Sequence, residues 1–140
     1  MAQVIIYKNP EANNVIVCTP SGIIPIEEVL ARDCPSGAII VDEETLPDQH
    51  NDFFDAWEMT IENNTHSISI NTDTARHITK RRLRVEREPL LAAQDILFQR
   101  ALESNSDTSA IVAEKQRLRD ITKLPDNVST LEELRNLTCQ

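Results

Sequence analysis

The apolar positions of this chain change period near Asn71, and that change divides it into two kinds of structure. Before it the apolar runs are short. Val4, Ile5, Ile6 and Tyr7 form a β-branched and aromatic run, and Val15, Ile16 and Val17 form a second. The intervening KNPEANN, with Pro10 and its asparagines, suits a turn, so the pair reads as a β-hairpin. In IPIEEVLARDCPSG, Ile26, Val29 and Leu30 follow helical spacing until Pro35 and Gly37 stop it, which predicts a short helix over about Pro25–Asp33. Ala38–Asp42 is a compact apolar strand. Phe53, Phe54 and Trp57, three and four apart, are expected to share one helical face that plugs this N-terminal head. Met59–Glu62 and the alternating Ser67–Ile70 read as a further strand pair on either side of ENNTH.

After Asn71 the period becomes helical. Asn71, Thr72 and Asp73 offer N-caps, and Leu83, Leu90, Leu91, Leu97, Phe98, Ala101 and Leu102 gather on one side of a long helix. Ile78, Val85, Ala92 and Ile96 fall on roughly the opposite side. A helix apolar on two sides must be covered twice. Pro89 lacks an N–H and is expected to kink this helix or to start a new one near Glu88. Ser106, Asp107 and Thr108 are candidate caps for a shorter helix whose stripe is Ile111, Val112, Leu118 and Ile121, stopped by Pro125. Ser129-Thr130-Leu131-Glu132 has capping-box form and opens a last short helix through Leu134. The fold class is therefore α+β: a β-rich head over residues 1–71, then a helical hairpin and a short C-terminal helix over residues 72–140. Leu90, Leu91, Leu97, Phe98, Leu118 and Ile121 are expected to form the hairpin seam. Ile78, Arg81, Arg82, Val85 and Ile96 are expected to face the head or a neighbouring subunit.

Charge sharpens the division. The net charge of −9 conceals 12 acids and 2 bases in residues 1–63 against 11 acids and 12 bases in residues 64–140, or −10 against +1. Aromatic residues make up 4% of the chain, so the core must rest on aliphatic side chains. Cys18, Cys34 and Cys139 are odd in number and lack a C-x-x-C spacing, which fits free thiols in a reducing compartment. The N-terminus has no basic region followed by an apolar one, and no apolar run approaches membrane-spanning length, so no membrane partner is expected.

Little in the sequence carries chemistry. There is no G-x-S-x-G element, and Gly22 and Gly37 are the only glycines, which excludes glycine-rich phosphate loops and the cofactors they hold. His50, His66 and His77 show no zinc spacing, and neither a catalytic residue nor a metal ligand set nor a cofactor is expected. Asp42, Glu43, Glu44, Asp48, Asp52, Asp55 and Glu58 form an acidic segment that lacks the glycine and alternation of a calcium loop. It reads as a solvated face, with a metal-assisted hydrolase as the third functional reading. Arg76, Lys80, Arg81, Arg82, Arg84 and Arg87 place six bases within twelve positions. They project around much of a helix, and the acidic head or an acidic partner supplies the complementary charge. A nucleic-acid-binding regulator using Arg76 to Arg87 is the alternative function, with phosphate neutralisation as its driving force.

Several stretches, IIYKNP, IEEVLARDCPSG, the DAWE around Trp57, LRVEREPLLAAQDILFQRALE, and IVAEKQRLRDIT followed by LEEL, span most of the chain. Together they resemble small virion and tail-associated proteins of tailed bacteriophages. The C-terminal portion is similar to phage tail-assembly-chaperone-like proteins, in which a basic helix with L-L-A and an aspartate precedes a helix ending L-R-D-I. The resemblance implies a non-enzymatic structural or tail-assembly protein, working in the host cytoplasm during assembly or retained in the virion. Its implied partners are other phage structural or tail proteins, in a homo-oligomer or multi-protein assembly. The acidic DEETLPDQHNDFFD departs from that group, whose members carry fewer acids after the third strand.

Overall fold

The computed structural model describes residues 2–12, 14–62 and 65–140. The chain divides into two compact units, Met1–Asn71 and Thr72–Gln140. By class it is α+β, with small β-sheets in the first unit and a long helix with further helices in the second.

In the first unit, β1 (Gln3–Lys8) and β2 (Val15–Cys18) form the antiparallel hairpin that the two β-branched runs predict. Asn9 closes its turn twice: its N–H donates to the Asn14 carbonyl at 2.9 Å, and its side-chain oxygen accepts from the Glu11 N–H at 3.0 Å. Helix α1 (Ile26–Asp33) starts one residue later than expected, because Pro25 sits at the cap in an extended conformation. Glu27 and Glu28 lie in its first turn and Arg32 in its last, matching the helix dipole. Its exit is a tight turn in which the Ala38 N–H donates to the Pro35 carbonyl at 3.2 Å. Gly37 occupies that turn at φ 93°, a conformation costly for any residue with a side chain. Strand β3 (Ile39–Asp42) then pairs antiparallel with β1, giving the order β2-β1-β3. Strands β2 and β3 are thus parallel to each other and separated by β1, with α1 as the crossover.

Strands β4 (Trp57–Glu62) and β5 (Thr65–Ile70) form a second antiparallel sheet. Both are longer than the sequence implied, and the tip of the ENNTH turn, Asn63 and Asn64, lies outside the described residues. Side-chain alternation on β1 separates two packing layers. Val4 and Ile6 join Val15, Val41, Leu46, Trp57 and Met59 in the core, while Ile5 points to the α1 side and is equally buried.

The aromatic face differs from expectation. Residues Asp48–Ala56 form a 3-10 segment broken at His50 and Phe53, and Trp57 is the first residue of β4. Phe53 and Trp57 are nonetheless buried, and the Phe54 and Trp57 rings meet at 4.8 Å between centroids. The spacing of three and four that resembles a helical face is produced by a 3-10 turn running into a strand.

In the second unit, α2 (Thr72–Glu103) is one unbroken helix, so Pro89 does not start a new one. The missing N–H of Pro89 removes the ordinary partner of the Val85 carbonyl. Val85 is 68% exposed, which lets water supply a donor there. Asn105 ends α2 at φ 54°, with the Ser106 N–H on the Ala101 carbonyl at 2.8 Å and the Asn105 N–H on the Leu102 carbonyl at 3.3 Å. This is a Schellman ending with asparagine in the position glycine usually takes. Helix α3 (Ser109–Asp120) begins with Asp107 accepting from the Ser109 N–H at 3.0 Å and the Ser109 hydroxyl at 2.7 Å. Those bonds hold the Asp107 carboxyl below its ordinary pKa. A 3-10 segment, Ile121–Asn127, follows, and then α4 (Leu131–Asn136). The capping box of α4 is one residue later than expected: Thr130 accepts from the Glu133 N–H at 3.1 Å. S-x-x-E and T-x-x-E overlap in STLEE, and the extended backbone of Thr130 decides between them. Leu83, Leu118, Ile121 and Cys139 form the core of this unit, with Leu91 and Leu137 packed against it.

Candidate protein-interaction surface

Four of the six clustered bases on α2 are engaged inside the second unit. Lys80 Nζ pairs with Asp126 at 2.8 Å. Arg76 Nη2 donates to the Val128 carbonyl at 3.1 Å, Arg82 Nη2 to the Leu134 carbonyl at 3.1 Å, and Arg87 Nη1 to the Arg119 and Leu118 carbonyls at 2.9 and 3.3 Å. The three arginine targets share a position: Leu118 and Arg119 lie in the last turn of α3, Leu134 in the last turn of α4, and Val128 at the end of the 3-10 segment. Carbonyls at a helix C-terminus carry partial negative charge and have a second lone pair to fill: Leu118 and Leu134 accept from the Ile121 and Leu137 N–H groups, and the guanidinium adds a second donor and a cation. These four residues find partners within Thr72–Gln140, and for three of them those partners include backbone carbonyls, where the charge pattern suggested the acidic head or an acidic partner. Replacing Arg87 with Met keeps much of the aliphatic contact and removes both hydrogen bonds made by Nη1. It is expected to lower the stability of this unit by about 1–2 kcal/mol, read as a reduced urea midpoint in far-UV circular dichroism.

The same capture fixes the C-terminal segment. Arg117 donates to Glu114 and, at 2.8 Å, to the Cys139 carbonyl, while the buried Cys139 thiol donates to the Leu83 carbonyl at 3.5 Å. Burial pushes the Cys139 thiol pKa up, and burial beside the Cys18 thiol does the same to Cys34. Raised thiols carry little thiolate at neutral pH and are poor nucleophiles. The Lys80 ammonium holds the Asp126 carboxyl below its usual range. Lys115 binds α3 to α2 by an ion pair to Asp95 at 2.6 Å and by lying 5.0 Å from the centroid of the Phe98 ring.

These contacts locate the expected seam and interaction residues. Leu118 and Ile121 are buried in the core, Leu91 packs on it and Phe98 is half-buried under Lys115. Leu90 and Leu97 do not belong to the seam as expected, being 37% and 45% exposed. Leu83, fully buried, takes the central place instead. Among the interaction residues, Val85 and Ile96 are exposed, Ile78 is half-buried and Arg81 is exposed. Arg82 is committed to Glu86 and the α4 carbonyl, which removes it from the free surface. Arg81 and Arg84 have no polar partner among the described residues.

The surface that remains is a broad side of α2 carrying Val85, Pro89, Leu90, Ala92, Ala93, Ile96 and Leu97, all exposed. The sequence places Val85, Ala92 and Ile96 on this side and gives Leu90 and Leu97 to the seam instead. Elsewhere, the acidic segment does not converge: among the described residues no three His, Cys, Asp or Glu side chains are placed to share a metal ion. An open cleft of about 470 Å³ between Tyr7, Pro10, Pro35 and Met59 lies in the first unit. No helix is long and apolar enough to cross a membrane among the described residues. No protein-family model, curated protein or solved structure matches the chain, so the α2 surface itself must carry the functional argument.

Proposed function

We propose that this protein is a non-enzymatic bacteriophage structural or tail-assembly component that docks on other phage proteins through its helical unit. In this reading α2 and α3 form a helical hairpin, and Pro89 bends α2 so that its two halves meet different surfaces. The observation that carries the proposal is the exposed apolar side of α2 around Val85 and Ile96, next to the unpaired Arg81. Large exposed apolar side chains grouped on one helix mark an interaction surface, and the resemblance of the chain to tail-associated proteins supplies the class of partner. The protein acts in the host cytoplasm during assembly and remains available for incorporation into the particle.

The test is co-purification from infected cells with a tagged chain, read by mass spectrometry. Val85→Glu with Ile96→Glu is expected to remove phage tail or capsid proteins from the eluate while leaving the circular dichroism spectrum unchanged. An eluate free of phage structural proteins with the wild-type chain would overturn the proposal.

A further inference from the structure

The exposed side of α2 is bounded by charges whose order matters. Along this side run a basic pair, Arg81 and Arg82, then Glu86, the apolar stretch Pro89, Ala92, Ala93, Ile96 and Leu97, then Arg100 and Glu103. At about 100° per residue these positions lie within little more than half a turn of the helix. Arg81, Arg100 and Glu103 are exposed and have no polar partner among the described residues. Glu86 is half-buried and shares its carboxylate with Arg82.

Read forwards, the signs are plus, minus, apolar, plus, minus. Read backwards, they are minus, plus, apolar, minus, plus. Laying the face against an identical one in the opposite direction therefore puts every charge against its opposite, whereas a parallel pair puts every charge against its like. With a two-fold axis at Ala93, Arg100 of each copy comes level with Glu86 of the other, and Arg81 comes within about 3 Å of axial level with Glu103. Rotation about that axis keeps these partners on the same flank. Pro89 comes level with Leu97 and Leu90 with Ile96. At the axis stand Ala92 and Ala93, small enough to let two helices approach closely.

We propose that α2 pairs with α2 of a second copy of this chain, antiparallel, about a two-fold axis at Ala93. The pairing rests on the reading of this face as an interaction surface and is independent of its phage assignment. Self-complementarity is what an isologous interface requires. The face from Arg81 to Glu103 is about 33 Å long. A single helix pair of that length buries on the order of 1,000 Å² in total, at the lower bound for specific interfaces. The dimer accordingly belongs among small, reversible interfaces, and its population rises with concentration.

Sedimentation equilibrium of the purified chain is expected to move from 15.8 kDa towards twice that mass as concentration rises. Ala93→Glu sets two carboxylates side by side at the axis and is expected to hold the protein at the monomer mass with its helical spectrum unchanged, since Ala93 is exposed. Glu103→Arg places like charges together twice and is expected to weaken association by roughly tenfold. The double variant Arg81→Glu with Glu103→Arg reverses both partners and is expected to recover association to within about threefold of wild type. A monomer at every concentration, a dimer indifferent to Ala93→Glu, or failure of the double variant to recover would each overturn the pairing. Because only this chain is present, such a failure leaves the co-purification result standing and is distinguishable from failure of the proposed function.

Discussion

Replacing Trp57 with alanine is expected to destabilise the N-terminal unit by about 3–5 kcal/mol, a large part of the stability of a domain this small. Trp57 is 1% exposed, and its ring fills the space between the two sheets against Val4, Ile6, Val41 and Met59. Its Nε1 donates to the His50 carbonyl at 3.1 Å, so truncation removes both the packing and that bond. It also leaves the Phe54 ring without its aromatic neighbour. Amide hydrogen exchange of Val4, Ile6 and Met59 measures the loss directly: protection should fall by roughly two to three and a half orders of magnitude, as a cost of about 3–5 kcal/mol requires. Unchanged protection in β1 and β4 would show that the two sheets do not share this core. Trp57→Phe keeps most of the volume and is expected to lose less than half as much.

The second large effect is expected at Leu118. This side chain is 1% exposed and belongs to the cluster of Leu83, Ile121 and Cys139, where α2, α3 and the residues after α4 meet. Leu118→Ala removes buried methyl groups and leaves a cavity whose walls come from three separate elements, costing about 2–5 kcal/mol. Far-UV circular dichroism in urea, dominated by the helices of this unit, should show the midpoint falling without loss of slope. Leu97→Ala is the matched control. It deletes the same atoms from an exposed position and is expected to change stability by no more than about 0.5 kcal/mol. Equal losses at Leu118 and Leu97 would contradict the placement of the core.

The difference between those two leucines shows where sequence reasoning ends. Periodicity places Leu97 and Leu118 in one seam because it reveals that a side of a helix is apolar, but not where on its circumference the partner lies. Helix α3 runs beside this part of α2, with Lys115 on Asp95 and Phe98 and its last-turn carbonyls on Arg87. Leu91 packs on the shared core, whereas Pro89, Leu90, Ala93, Ile96 and Leu97 sit on the part of the circumference left exposed. The strands were legible for the opposite reason. Ser67–Ile70 alternates with period two, and Val4–Tyr7 is a short β-branched and aromatic run bounded by turn residues, as suits a strand buried on both faces.

The arginines were legible as a cluster and illegible in purpose. A guanidinium bound to a carboxylate leaves a charge pattern in the sequence, but one bound to a backbone carbonyl leaves none. Arg76, Arg82 and Arg87 seek carbonyls 31 to 52 residues away, whose identity is irrelevant to the bond. The aromatic trio erred differently: its spacing admits a helix, while the 3-10 segment broken at Phe53 arises from local backbone angles. Asn105 was equally hidden, because the positive φ that ends α2 usually announces itself as glycine.

The long reach of the α2 contacts also sets an order of events during synthesis. Several bonds that anchor the N-terminal half of this helix join it to a distant segment: Lys80 to Asp126, Arg76 to Val128, Arg82 to Leu134, and Leu83 to Cys139 across 56 positions. The first of these cannot form until Asp126 has left the ribosome and the last until Cys139 has, although the β-rich unit has by then been fully translated. For that interval α2 presents Leu83 and Leu91 with no core to enter. A helix that is made early and completed late is exposed to capture by other nascent chains, and its closure is slowed by the loop that must first be ordered.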